Sequence, residues 1–303
     1  MKIYLTLFIL SLSFTFLYSA DSAASVIPGK LLLGGFSKGI VVLADGKGKI
    51  DKQIKVGRCV QDVWLLPDGK IAASYIRGFK IFDKDGKVVG GYTSKEKSPI
   101  EVHSLQPIAD NLYLVCECGS KRLLEVTSDG KIQKVIKLSS PLKPHLQFRA
   151  ARKTVRGTYW VAFLGDSNVC EIDSNGKVLR KIKVSRNGKS AHAVIELPNG
   201  HILVSTGYSK GIKEFDKNGK LVWSVSPQEL VNAGIKRTGY AAGLQRLPNG
   251  NTLLAVYHGN PQIVEITPDK KIVWSFFNPS LGNIANINNL DGQDGTIKTR
   301  PLR

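Results

Sequence analysis

One short pattern recurs six times along the chain: a polar turn, usually ending in Gly-Lys, followed by a short apolar run. The clearest copies are residues 82–89 and 215–223. The turn centres lie 38 to 51 residues apart, at Gly48, Gly86, Gly130, Gly176, Gly219 and, where a glycine is replaced, Lys270. A period in the forties with strands and hairpin turns inside each unit is typical of a β-propeller. The repeat therefore predicts an all-β chain whose loops gather on common surfaces.

Residues 190–226 show one complete unit. Residues 191–197 form an apolar run that ends in the turn Leu-Pro-Asn-Gly at 197–200, and Asn-Gly accepts the positive φ angles of a tight reversal. Further strands are predicted at 201–205, 212–215 and 220–225, which makes a four-stranded meander. The units around residues 66 and 247 repeat the Leu-Pro turn, whereas the fourth unit is predicted to have a longer hairpin around 152–157.

The two ends of the chain complement each other. The first unit, from residue 31, lacks an inner strand, and residues 284–292 have the pattern of an inner strand with its turn. Pairing these segments would close the ring and cover two free edges. We therefore predict a six-bladed propeller closed by a C-terminal strand in the first blade. Seven blades is the alternative if residues 227–239 contain extra strands, although 231–235 also fits a short surface helix.

The N-terminus has the organisation of a secretory signal peptide. Lys2 is followed by an apolar stretch from residue 3 to 18 and then by small residues. Cleavage after Ala24 is expected, with cleavage after Ala20 or an uncleaved anchor as alternatives. We expect residues 1–24 to be a signal peptide and 25–303 a single propeller domain. The predicted location is secreted or periplasmic, with no membrane span after cleavage.

The net charge of +19 is partly built into the repeats, because most of the turns carry a lysine. These lysines are interpreted as a solvated surface that discourages edge pairing, or as attraction to an anionic partner. Export and the absence of a nucleic-acid-binding motif argue against nucleic acid. We expect a monomer whose partner is an anionic or carbohydrate-like ligand or an envelope protein.

The four cysteines leave two alternatives open. Cys116 and Cys118 are spaced i, i+2 in a predicted strand, so they point to one face and do not easily bond to each other. Either could pair with Cys59 or Cys170 after export, or all four could be buried free thiols. The spacing does not fit a zinc site, and common hydrolase and nucleotide motifs are missing from the sequence. We predict no cofactor and no metal.

The segment 215–223, Phe-Asp-Lys-Asn-Gly-Lys-Leu-Val-Trp, resembles the tryptophan-docking repeat of quinoprotein-like (PQQ-like repeat) propellers, and 266–274 is a weaker copy. With the Leu-Pro-Asn-Gly turns, the units are also similar to those of arylsulfotransferase-like propellers. The resemblance covers about residues 30–292 and implies the fold. Quinone-dependent enzymes of this group have eight blades and an adjacent Cys-Cys pair, which this chain lacks. For sulfate transfer, the resemblance implies a channel-face histidine with arginine and histidine partners.

Propeller geometry predicts that the variable loops form the binding face, while the stereotyped turns lie on the other. His103 and His192 stand at equivalent positions, counted back from the first turn of their units, and we expect His145 to be a third. Gln61 and Ala242 are the equivalents in two other units. The candidates for acid–base and anion-holding roles are His103, His192 and Arg149. The candidates for ligand binding are Gln61, His145, Arg77, Tyr208, Arg237, Tyr240, Tyr257 and His258.

Two functional hypotheses follow. In the first, the chain is a binding scaffold of the cell envelope without catalysis. In the second, it is a channel-face enzyme, a lyase, hydrolase or sulfotransferase, that acts on an anionic or carbohydrate-like substrate. Arginine and aromatic side chains suit such ligands because arginine pairs with carboxylates or sulfates and aromatic rings cover sugar rings. Convergence of the histidines in a pocket would favour the enzyme, and a plugged channel the scaffold.

Overall fold

Six four-stranded antiparallel sheets follow one another around a central channel. This computed structural model describes residues 27–97, 99–186 and 188–293. The prediction of a six-bladed propeller is confirmed, and the seven-bladed alternative is wrong. The segment between the fifth and sixth blades contains a helix, α1 (Pro227–Asn232), instead of extra strands. The proposed signal peptide lies outside the described residues.

The strands are numbered β1 to β24 along the chain, and each blade is built from four of them. The first blade contains β1 (Leu31–Gly35), β2 (Ile40–Ala44), β3 (Ile50–Lys55) and, innermost, β24 (Ile284–Asn289). The second and third contain β4 (Val63–Leu65), β5 (Ile71–Tyr75), β6 (Gly78–Phe82), β7 (Val88–Thr93), β8 (Val102–Ala109), β9 (Leu112–Glu117), β10 (Arg122–Thr127) and β11 (Ile132–Lys137). The fourth and fifth contain β12 (Phe148–Lys153), β13 (Tyr159–Phe163), β14 (Asn168–Ile172), β15 (Val178–Lys183), β16 (Ala193–Glu196), β17 (Ile202–Ser205), β18 (Ile212–Phe215) and β19 (Leu221–Val225). The sixth contains β20 (Tyr240–Arg246), β21 (Thr252–Tyr257), β22 (Ile263–Ile266) and β23 (Ile272–Phe276). The described part of the chain also contains three short 3-10 turns, at Pro67–Gly69, Pro144–Leu146 and Pro279–Leu281.

The ring is closed by antiparallel pairing between β24 and β1. Leu33 pairs with Ile287, and both side chains are fully buried. Just beyond β24, the Asp291 carboxylate accepts hydrogen bonds from the backbone nitrogens of Gly29 and Lys30, at 3.0 and 3.1 Å. The last strand therefore covers the open edge that the first blade would otherwise present.

A repeated hydrogen bond joins neighbouring blades at their outer strands. The Trp223 indole Nε1 donates to the Pro268 carbonyl oxygen of the next blade, at 2.8 Å. Trp274 Nε1 reaches the Gly46 oxygen of the first blade at 3.2 Å, so this contact also spans the ring closure. The apolar core lies between the blades in six clusters, which is why each blade depends on its neighbours.

The four cysteines are free thiols, which decides between the two alternatives drawn from the sequence. Cys116, Cys118 and Cys170 are buried, and Cys59 is half-buried. Among the described residues, no helix is long and apolar enough to cross a membrane.

Candidate functional site

The channel mouth is ringed by one equivalent position from each blade, five residues before the first turn of the unit. In blades two to five these positions carry large polar side chains, whereas in blades six and one they carry alanine. The six residues are Gln61, His103, Arg149, His192, Ala242 and Ala285. Because the two alanines leave space that the other side chains cannot fill, a cavity opens beside blades six and one.

Blade four corrects one expectation from the sequence. Thr154 N donates to Thr158 O at 2.9 Å, with the same spacing as the bond from Leu197 N to His201 O in blade five. The hairpin of blade four is therefore not longer than the others, and Arg149 instead of His145 takes the equivalent position. His145 lies on the 3-10 turn Pro144–Leu146, above Arg149.

The cavity at this mouth has a volume of about 290 Å³. Eight of the eleven site candidates predicted from the sequence line it, together with three residues that were not predicted to be functional. The eight are Gln61, His145, Arg149, His192, Tyr208, Tyr240, Tyr257 and His258; the three are Phe36, Ala242 and Ala285. Residues from five of the six blades thus meet in one pocket, although the roles of these residues stay predictions.

One wall of the cavity is aromatic. The Tyr240 ring packs edge-to-face against His192, Tyr208 and Tyr257, with centroid separations of 5.0, 4.7 and 6.4 Å. Phe36 extends the wall by an edge-to-face contact with Tyr257 at 5.3 Å. Tyr208 is half exposed, so part of its ring is available to a ligand. Edge-to-face packing holds each ring in a fixed orientation.

The opposite wall is backed by a polar cluster that joins blades three and four. The Glu101 carboxylate Oε2 lies 2.8 Å from His103 Nε2 and 2.9 Å from His145 Nδ1. Arg149 Nη1 donates to His103 Nδ1 at 3.0 Å, and Arg149 Nη2 donates to His145 Nε2 at 2.7 Å and to the His145 carbonyl at 2.8 Å. Glu101 and Arg149 therefore hold both imidazoles in place from two sides.

Charge in this cluster is internally compensated. Burial alone would raise the pKa of Glu101, but the hydrogen bonds from His103 and His145 outweigh it and hold that pKa well below its usual range. Glu101 is therefore ionised at neutral pH, and its Oε2 lies 3.9 Å from Arg149 Nη1. The buried guanidinium thus has its counter-charge beside it.

The same cluster offers three potential metal ligands. Ligand atoms of Glu101, His103 and His145 all lie within 4.8 Å of one another. However, Arg149 donates to one ring nitrogen of each histidine, so a cation would have to displace a guanidinium that already balances Glu101. The donor set fits the arginine better than it fits a metal ion.

His192 differs from the other two imidazoles of the mouth. Burial, reinforced by the positive charges of Arg149 and Arg152, lowers the pKa of His192 well below its ordinary value. Nδ1 lies 3.0 Å from the Tyr240 hydroxyl. Within the described part of the chain, Nε2 has no hydrogen-bond partner, although the residue lines the cavity. His192 is therefore a neutral imidazole with one nitrogen fixed and the other open to a ligand.

Three candidates lie outside the cavity wall. His103 is 5% exposed and sits behind Arg149. Arg77 donates to the backbone oxygens of Ser94 and Glu96, at 2.7 and 2.9 Å, which is a structural contact at the edge of blade two. Arg237 is exposed and does not line the cavity; its backbone forms a bridge with Asn260.

Glu101 and Phe36 were not predicted from the sequence. Glu101 precedes His103 by two residues, and an acidic residue at i−2 of a channel histidine was the signal available. Phe36 is in the loop between β1 and β2, which is the blade-one counterpart of the loop that carries Tyr208.

A second cavity, of about 450 Å³, lies at the opposite mouth and is lined in part by Trp64, Arg152, Lys153, Arg156 and Trp160. Its cations already have carboxylate partners: Arg152 pairs with Asp62 at 3.0 Å, Lys153 with Glu125 at 2.6 Å and Arg156 with Glu196 at 2.8 Å. These ion pairs hold blades together. The described lining of this second cavity contains no histidine that could play the part of His192.

Comparison with known proteins supports the propeller fold but does not identify a family or a function for the whole chain. The family model for Mal s 1 allergenic protein-like sequences matches residues 114–226, which is less than half of the chain. No curated protein matches the sequence. None of the matches described here is a quinoprotein or an arylsulfotransferase, so that resemblance stays a prediction.

Several solved structures share the propeller. A protein of unknown function from Bacteroides caccae is 25% identical, with a TM-score of 0.74, over 86% of this chain and 98% of that one. Streptogramin B lyase is 15% identical, with a TM-score of 0.59, over 82% and 80% of the two chains. A catalytically inactive virginiamycin B lyase from Staphylococcus aureus, with quinupristin, is 12% identical, with a TM-score of 0.60, over 86% and 89%. At this identity, the two lyases show a common fold alone.

Proposed function

We propose that this propeller is an enzyme of its channel mouth that carries out acid–base chemistry of the lyase type on a small molecule. The observation that carries the proposal is His192, a neutral, cavity-lining imidazole whose Nδ1 is held by Tyr240 and whose Nε2 has no partner among the described residues. A base positioned in this way is what proton abstraction requires.

The proposed reaction is an elimination. With Nδ1–H donated to the Tyr240 oxygen, the Nε2 lone pair of His192 accepts a proton from a carbon next to a substrate carbonyl. The carbon–hydrogen electrons form the new double bond, and the bond to the leaving oxygen breaks. The imidazolium then returns the proton to that oxygen, so no other reactant is needed. The lowered pKa disfavours imidazolium, so it favours this second transfer and weakens His192 as the base in the first.

The neighbouring residues have positioning roles in this scheme. Burial raises the pKa of Tyr240, so its hydroxyl keeps its proton and stays a neutral partner for His192. The Arg149 charge contributes to the low pKa of His192, and Glu101 and His145 hold Arg149 in place. Elimination is preferred over hydrolysis or sulfate transfer because His192 alone supplies both proton transfers. The fold shared with two lyases is consistent with this choice.

The test is turnover of a panel of glycosides, esters and lactones that carry a hydrogen next to a carbonyl, followed by the absorbance of a conjugated alkene. His192→Gln should lower kcat by about 10²–10⁴-fold. His201→Gln is the matched control, since His201 lies near the opposite mouth and is paired with Glu214 at 2.7 Å. Unchanged turnover in His192→Gln, or no turnover of any panel member, would contradict the proposal.

The second candidate function is a ligand-binding scaffold without catalysis. It is favoured by the saturation of His103 and His145, whose inward nitrogens are engaged by Glu101 and Arg149. A ligand that binds in the cavity and is recovered chemically unchanged would support the scaffold over the enzyme.

We further propose that the chain acts outside the cytoplasm, in secreted or periplasmic form, as a monomer of residues 25–303. The apolar N-terminal stretch and the small residues that follow it support this. Mass spectrometry of the exported protein should find a new N-terminus near Ala24, and light scattering should give a monomer mass. An intact N-terminus in the exported protein would contradict cleavage.

A further inference from the structure

The wall of the His192 cavity is almost free of formal charge. Its described lining contains no lysine, aspartate or glutamate, and Arg149 is its one permanently charged residue. Arg149 is 4% exposed and has Glu101 beside it, at 3.9 Å. A ligand that enters the cavity therefore meets aromatic rings, imidazoles and alanines, and no unpaired ion.

The hydrogen-bonding capacity of Arg149 is also largely used. A carboxylate or sulfate is gripped most strongly by two parallel N–H donors on one edge of a guanidinium. In this structure Nη1 contacts His103, and Nη2 donates to the ring and the carbonyl of His145. Only Nε lacks a partner among the described atoms, and it is covered by protein. An anion cannot obtain a two-point contact without breaking the cluster.

The polar groups that remain available in the lining are uncharged. Four uncharged side chains there have a polar atom without a hydrogen-bond partner among the described residues: His192 at Nε2, Tyr208 at its hydroxyl, His258 at its ring and Gln61 at Oε1, which is covered by protein. These groups exchange hydrogen bonds with hydroxyls as readily as with water. The half-exposed ring of Tyr208 lies next to them and offers a flat apolar surface.

We propose that the ligand of this cavity is an uncharged, hydroxyl-bearing ring compound of the glycoside class, and not an anion. The ring lies against Tyr208, and its hydroxyls bond to His192, Tyr208 and His258. The volume of about 290 Å³ is at the small end of ligand sites, which suits one or two rings. The inference rests on the proposed function for its site, since it names the substrate class of the same pocket.

The test compares two probes that differ in one group, 4-nitrophenyl β-D-glucoside and 4-nitrophenyl β-D-glucuronide, by isothermal titration calorimetry on the chain from residue 25. The neutral glucoside should bind at least about tenfold more tightly than the glucuronide. Tyr208→Ala should weaken glucoside binding by about tenfold, because the apolar contact area is lost. Phe277→Ala is the matched control, because Phe277 is equally exposed but does not line the cavity.

Tighter binding of the glucuronide, equal loss in both variants, or no binding of either probe would overturn the inference. Binding is measured separately from turnover, so the two proposals can fail independently. If the glucoside binds as expected but no carbonyl-bearing member of the turnover panel is converted, the enzyme proposal fails and the ligand class stands.

Discussion

Replacing Glu101 by glutamine tests the cluster that positions Arg149 and the two outer imidazoles. The glutamine keeps the shape of the side chain but removes the charge that faces His103 Nε2 at 2.8 Å and His145 Nδ1 at 2.9 Å. It also leaves Arg149 without its counter-charge at 3.9 Å. We expect Glu101→Gln to destabilise the fold and to loosen the wall of the cavity.

The expected loss of unfolding free energy follows from how deeply Glu101 and its two histidine partners are buried. A hydrogen bond to a charged group contributes about 1.5–3 kcal/mol where it is buried, and about 0–1 kcal/mol at the surface. The Glu101 side chain is 20% exposed, and those of His103 and His145 are 3% and 55% exposed. The bond to His103 therefore dominates, and the total loss should be about 2 kcal/mol. For a domain of this size, that corresponds to a fall in Tm of about 3–4 °C.

The pH dependence provides a sharper check. Because the folded-state pKa of Glu101 is lowered, its stabilisation is complete above the unfolded-state value near 4.5 and is lost as the pH falls through the folded-state pKa. The difference in unfolding free energy between wild type and Glu101→Gln should therefore persist at neutral pH and narrow below about pH 4.5.

Urea denaturation from pH 3 to 8 measures the unfolding free energy of wild type and variant and its dependence on pH. Glu96→Gln is the matched control: Glu96 pairs with Arg122 at 2.9 Å, but its side chain is 45% exposed. It should change stability by about 0.5 kcal/mol or less. If Glu101→Gln were as stable as the control at pH 7, the cluster would not hold Arg149, and the reasoning would be refuted.

Two further predictions concern stability. His192 is held neutral with a lowered pKa, so just below about pH 6.5 the unfolded chain binds more protons than the folded one, and wild-type stability should rise with pH there. His192→Phe should remove the rise between about pH 4.5 and 6.5, and an unaltered pH dependence in urea titrations would contradict it. Ile287 is fully buried in β24, so Ile287→Ala should lower the unfolding free energy by about 2–5 kcal/mol. The control Val135→Ala, at a position 45% exposed in β11, should lower it by about 0.5 kcal/mol or less. Similar losses in both variants would argue against closure through β24.

The sequence predicts the fold well because the information is local and repeated. Each turn follows from its own residues, as at Gly86, where φ is +86°. Ring closure by β24 could also be predicted, because the first unit lacks the strand that the last segment supplies. The sequence of residues 227–239 fits either a helix or extra strands. In the structure a capping box between Ser226 and Glu229 starts the helix α1.

The site is less readable because its contacts cross between blades. Positions at a fixed offset from the turn, such as His192, could be found by counting. His145 was assigned to the position of Arg149 because the fourth unit lacks the Leu-Pro marker. Glu101 is marked in the sequence only as an acidic residue two positions before His103, and its importance depends on the approach of His145 from another blade. The low pKa of His192 likewise depends on burial that only the folded ring provides.

A crystal structure of the chain from residue 25, soaked with 4-nitrophenyl β-D-glucoside, tests most directly whether the channel mouth is the functional site. The account predicts density in the cavity, with the ring against Tyr208 and a hydroxyl within hydrogen-bond distance of His192 Nε2. Density confined to the opposite cavity beside Trp64 and Arg156, or a mouth filled by its own side chains, would contradict it.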